Sequence, residues 1–130
     1  DAMLAGDKPL AGSIAGDKAR ALVGLGRNEE AAATLQQARE YAPQDAQVWL
    51  LSATLSRRQG DLASARTQIA TAAGLDSQDP AIALEAGVIA ELAGNADAAR
   101  KSWNAVVALA PDGPEAQTAK TYLAETDPAK

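Results

Sequence analysis

Cysteine, histidine and phenylalanine are absent from this 130-residue chain, methionine occurs once, and aromatic residues make up only 3%. Without cysteine or histidine there is no thiol nucleophile, no thiolate or imidazole metal ligand, and no copy of the commonest general base. Most enzyme mechanisms are excluded with them. No apolar run approaches the roughly 20 residues that span a bilayer, and nothing at the start resembles a signal peptide. Basic residues are in deficit as well: 12 against 17 acidic ones, a net charge of -5 and a pI near 4.6. That balance argues against nucleic acid and against anionic membrane surfaces, both of which attract basic proteins. The lack of cysteine selects no compartment, because a chain without thiols suits the cytosol and the periplasm equally.

What the chain does have is alanine, which dominates a hydrophobic fraction of 47%. Small side chains must pack closely, and helices do that best. A fixed period organises them. Gly26, Gly60 and Gly94 stand 34 residues apart, and so do Ala31, Ala65 and Ala99. Leu35, Ile69 and Trp103 form a further column, followed by Ala38, Ala72 and Val106. Pro9, Pro43 and Pro111 share the lattice, with Ser77 in the gap. Such repetition is the signature of an array of supersecondary units.

Within each period the apolar residues recur at helical spacing in two stretches separated by the glycine. Gly60 is suited to end one helix in the left-handed conformation, and Asp61 to cap the next. Asp79-Pro80 opens the following unit with an acidic N-cap and a proline in the first helical place. Each period is therefore a helix-turn-helix pair. The basic stretch Arg57-Arg58-Gln59-Gly60-Asp61 is accordingly a turn, with no lysine or serine pattern of a phosphate loop beside it.

This pattern closely resembles the tetratricopeptide repeat. The resemblance implies an all-α, right-handed solenoid with repeats at 12–45, 46–79 and 80–113. Residues 114–125 would form a capping helix with Ala116, Ala119, Tyr122 and Leu123 inward and Gln117, Lys120, Thr121 and Glu125 outward, followed by a disordered tail at 126–130. Residues 1–11 would be the tail of a preceding repeat, making the chain the C-terminal domain of a larger protein. Departures from the family pattern are Ala15 and Ala83 where tryptophan is usual, Arg27 for the aspartate of the turn, and Ser77 for a proline. Gly16 and Gly24 each cost about 1 kcal/mol relative to alanine in a helix, so the first helix should be the least stable. Alanine-rich repeats of this kind also resemble those of proteobacterial proteins with exported tetratricopeptide domains, which points towards a bacterial source and the periplasm.

No catalytic constellation stands out, and no cofactor is expected. The serines have no histidine to activate them. Glu29-Glu30 suits the first turn of a helix, where acidic residues favour the macrodipole. Asp76 and Asp79 lack the glycine and terminal glutamate of a calcium loop. Trp49 and Trp103 fall on packing columns and are expected in the core. The resemblance implies a noncatalytic scaffold whose concave face binds a peptide or partner helix. The groove places fall on Arg20, Gln47, Leu50, Thr54, Arg57, Arg58, Leu84, Val88, Glu91 and Tyr122. They also include Ser13, Gly16, Val23, Gly24, Ala81, Leu92, Glu115 and Thr118. Arginines on one side and an apolar strip on the other suit a partner with apolar side chains and an acidic group. The clamp with which family members hold the acidic tails of heat-shock chaperones is essentially missing, since its places fall on Gly16, Arg20, Leu51, Ala81 and Glu85. The alternative is a structural domain that stacks on itself or on other repeats through an open N-terminal end carrying Met3 and Leu4.

Overall fold

The computed structural model describes residues 18–22 and 24–126. The expected tail of an earlier repeat with Met3, Leu4 and Pro9, the groove places Ser13, Gly16 and Val23, and residues 127–130 lie outside the described residues. A helical stretch at 18–22 is followed by six helices: α1 (Asn28–Tyr41), α2 (Ala46–Arg58), α3 (Leu62–Leu75), α4 (Pro80–Leu92), α5 (Ala96–Leu109) and α6 (Pro114–Glu125). There is no strand among the described residues.

Backbone chemistry at the recurring glycines explains the breaks. Gly26, Gly60 and Gly94 adopt φ of 76°, 81° and 84°, the left-handed region that a Cβ disfavours. Behind Gly60 the amide of Asp61 donates to the Ser56 carbonyl at 2.9 Å, and behind Gly94 the amide of Asn95 donates to that of Ala90 at 2.9 Å. The glycine amides themselves donate to Arg57 and Glu91 carbonyls at 3.0 Å, completing Schellman-type closures.

The residue after each glycine then starts a helix. Asp61 Oδ1 accepts from the Ser64 amide and Asn95 Oδ1 from the Ala98 amide, each at 3.1 Å. The Ser64 hydroxyl and amide hold the Asp61 carboxyl below its ordinary pKa. Arg27 has no acceptor to offer; α1 starts without a side-chain cap, and Arg27 pairs instead with Glu30 at 2.9 Å on the surface. Asp45 and Asp79 cap α2 and α4 through the amides of Gln47 and Ala81, with Pro80 in the first turn of α4.

Two compact units result, Asp1–Leu75 and Asp76–Lys130. In unit 1 a core of small and aliphatic residues, among them Ala19, Leu35, Ala38, Val48 and Leu55, is fully buried. Polar bonds fasten its helices. Arg39 Nη1 donates to Ser52 Oγ at 2.7 Å, and the Ser52 hydroxyl, buried to 2% exposure, donates to the Val48 carbonyl. Ser56 Oγ donates to Gln68 Oε1 at 2.7 Å. Trp49, expected in the core, is only half-buried: its indole N–H donates to the Pro43 carbonyl at 2.8 Å, and the Arg39 guanidinium lies 5.7 Å from its ring centroid. At the rim of the core the polar indole edge keeps its hydrogen-bond partner while the ring packs on its inner side. Burial of Arg39 lowers its pKa, an effect opposed by Glu40.

Unit 2 packs differently. Its core is Ala99, Trp103, Val106 and Ala119, with Leu84, Val88 and Tyr122 packed against it. Trp103 is buried to 3% exposure, and a Cβ on Gly87 would overlap its indole ring. Glycine is therefore required there by the tryptophan, while unit 1 has Ala19 and Ala53 in the same column, alongside Leu35 and Ile69.

Candidate functional site

Unit 2 holds an open cleft of about 230 Å³ between α4, α5 and the end of α6, lined by Val88, Glu91, Leu92, Trp103, Tyr122, Glu125 and Thr126. Its floor is aromatic. The Trp103 and Tyr122 ring centroids are 5.2 Å apart at an interplanar angle of 48°, a tilted pair that leaves a concavity beside it. Trp103 reaches this position because Gly87 lets the pyrrole edge of the indole approach the α4 backbone. The cost is an indole N–H that is buried with no hydrogen-bond partner. Leu92, in the last turn of α4, is 56% exposed and lines the cleft, whereas Leu25, the other large hydrophobic left exposed among the described residues, does not.

The far wall is the C-terminal end of α6, and a small network holds it. Arg100 Nη1 donates to the Leu123 carbonyl and to Thr126 Oγ1, each at 3.2 Å, and the Thr126 hydroxyl donates to the Tyr122 carbonyl at 2.8 Å. A cation at carbonyls left open by a helix end complements the macrodipole. Arg100 thereby anchors the segment that carries Tyr122, Glu125 and Thr126.

Of the residues expected in a groove, Val88, Glu91, Leu92 and Tyr122 meet in this cleft, and Leu84 is half-buried against the same core. Trp103, Glu125 and Thr126 were not expected there. Glu125 was placed on the outer face of α6, but it lines the cleft. The signal was in the lattice: Tyr122, Glu125 and Thr126 stand one period after Val88, Glu91 and Leu92, so the same places recur on α6.

In unit 1, Gln47, Leu50, Thr54, Arg57 and Arg58 lie on α2 at spacings that share one helix face. Leu50, Thr54 and Arg57 are half-buried, whereas Gln47, Arg58 and, from the preceding helical stretch, Arg20 are exposed. The Thr54 hydroxyl donates to the Leu50 carbonyl at 3.1 Å. Arg57 and Arg58 occupy the last turn of α2, where positive charge complements the helix end. No cluster of acidic side chains among the described residues could hold a metal ion, and no helix among them is long and apolar enough to cross a membrane.

Glycine-closed helix pairs at one period define an α-helical repeat protein. The tetratricopeptide repeat family profile matches residues 17–80 and 53–114, and the chain belongs to that family. No curated protein sequence matches it. Among solved structures, it is similar to the first TPR of Spaghetti (RPAP3) bound to HSP90 peptide SRMEEVD, with TM-score 0.85 and 17% identity over 93% of this chain and 94% of that one. It is also similar to the Arabidopsis OM64 TPR domain, with TM-score 0.81 and 16% identity over 91% and 98% of the two chains. A third is PcrH in complex with the chaperone binding region of PopD, with TM-score 0.79 and 19% identity over 88% and 89%. These likenesses place the fold in the all-α solenoid class of tetratricopeptide domains.

Proposed function

We propose that this chain is a noncatalytic protein-interaction module that takes a peptide or a partner helix, and that its principal contact is the unit 2 cleft. The observation that carries this reading is the exposed Leu92 beside an aromatic floor in an open cleft. Apolar surface gains free energy when a partner's side chain removes it from water, and an aromatic pair gives that side chain a defined seat. Support comes from two structures of the same fold: the Spaghetti domain is bound to an HSP90 peptide, and PcrH to a region of PopD. On this reading the repeats run 12–45, 46–79 and 80–113, and α6 closes the array. The α2 face with Gln47, Leu50, Thr54, Arg57 and Arg58, together with Arg20, offers a separate basic surface for a partner's acidic side chains.

The test is selection from a displayed library of random ten-residue peptides on the full chain, followed by binding measurements on the Leu92→Ser variant. Leu92 is largely exposed, so its loss leaves the fold intact. Selected peptides should bind the variant about tenfold more weakly, as expected for one apolar side chain covered at an interface. Failure to select any peptide, or equal affinity for the variant, would remove the reading. Self-association is the competing outcome: sedimentation of the unliganded chain would then show dimers that Leu92→Ser dissociates.

A further inference from the structure

The cleft carries charge as well as apolar surface, and the charge that lines it among the described residues has one sign. Among the described residues, Glu91 and Glu125 are its ionisable lining groups besides the Tyr122 phenol, and both are exposed. No lysine or arginine among the described residues lines it. Helix ends add to this. Glu91 and Leu92 are the last two residues of α4, and Glu125 is the last of α6, so two helices direct their C-terminal ends at one cleft. Each such end carries about half a negative charge. Arg100 offsets part of this at α6, but its guanidinium is directed at the Leu123 carbonyl and the Thr126 hydroxyl and does not line the cleft.

From these observations we infer that the unit 2 cleft selects a peptide segment in which an apolar side chain is accompanied by a lysine or arginine. The apolar side chain sits against Val88, Leu92 and the Trp103–Tyr122 pair. The cation then sits between Glu91 and Glu125, with its aliphatic stem along the half-buried Tyr122 ring, whose quadrupole also attracts positive charge. An acidic segment is disfavoured at this cleft, because its carboxylates would meet two carboxylates and two helix C-termini. That preference is opposite in sign to the one expected at the basic surface of unit 1. The inference rests on the peptide-binding reading of the cleft and narrows it to a chemical class.

The experiment uses the peptides selected above from the random library. Calorimetry on the full chain would compare each selected peptide with versions in which lysine and arginine are replaced by glutamine and then by glutamate. The expected result is enrichment of lysine or arginine next to an apolar residue, about tenfold weaker binding of the glutamine version, and still weaker binding of the glutamate version. The gap between native and glutamine peptides should shrink at high salt and close in the Glu91→Gln/Glu125→Gln variant. Peptides that bind through Leu92 but show no charge preference, or an acidic one, would overturn this inference and leave the peptide-binding reading standing. A gap that persists in the double variant would overturn it as well. Selection of no peptide at all, or dimers in place of peptide binding, would remove both.

Discussion

Units 1 and 2 are laid out on one 34-residue lattice but close their interiors by different means. In unit 1 the packing column holds Ala19 with Leu35 and Ala53 with Ile69, and the helices are further tied by Arg39 to Ser52 and Ser56 to Gln68. One period later the places of Arg39 and Ser52 hold Ala73 and Ala86, and two periods later Val107 and Lys120, so unit 2 has no counterpart of that tie. It has Gly87 against Trp103 instead, and the Trp103–Tyr122 pair beside them. Removing one methyl from α4 lets the largest side chain pack against that helix. The comparison teaches that one substitution pair on an otherwise regular lattice can place the side chain of a packing column in the lining of a cleft.

The largest effect is expected from abolishing that pair. Gly87→Ala forces the indole to move, because its Cβ would overlap three ring atoms; overpacking this severe costs about 3 kcal/mol or more, which the helix-propensity gain of about 1 kcal/mol only partly offsets. Trp103→Leu in the same chain should restore most of the loss, because alanine with leucine is the arrangement of unit 1. Urea denaturation of the single and double variants measures both; strict additivity would show that Gly87 and Trp103 are not coupled.

A smaller loss is expected from the tie private to unit 1. Ser52→Ala leaves the half-buried Arg39 guanidinium without the hydroxyl it bonds, at a cost of about 1–2 kcal/mol. Ala86→Ser in unit 2, where no arginine is placed to use it, should bring no comparable gain. Thermal melts of the two variants compare them directly, and equal shifts would contradict the assignment.

The smallest effect has the opposite sign. Arg27 is the one residue after a turn glycine that cannot cap its helix, whereas Asp61 and Asn95 do. Arg27→Asn should stabilise the chain by about 0.5–1 kcal/mol, less whatever the exposed pair with Glu30 contributes, which is small. Amide exchange in the first turn of α1 should slow. Unchanged exchange there would mean that the arginine is already well accommodated.

Much of the fold was legible because its signals are local. Glycine at a left-handed position, an acidic or amide side chain just after it, and alanine columns at one period each act over a few residues. Arg27 was legible as a departure for the same reason. The site was legible only in part. Val88, Glu91, Leu92 and Tyr122 follow from groove places on the lattice, but a buried column gives no hint that its residue, Trp103, also lines a cleft. Glu125 and Thr126 were missed because α6 was treated as a cap with an outer face, although it repeats the places of α4. Trp49 departed from its column for a tertiary reason: the Pro43 carbonyl and Arg39 lie within its reach, and a spacing rule does not register either of them.

The claim that the unit 2 cleft is the interaction site is tested most directly by amide and indole chemical shifts of the full chain titrated with a selected peptide. The account predicts that the amides of Val88, Leu92, Glu125 and Thr126 and the Trp103 indole N–H move together, saturating at one affinity, while the Trp49 indole N–H stays in place. Saturable binding that leaves the Trp103 indole and the ends of α4 and α6 unmoved would contradict it.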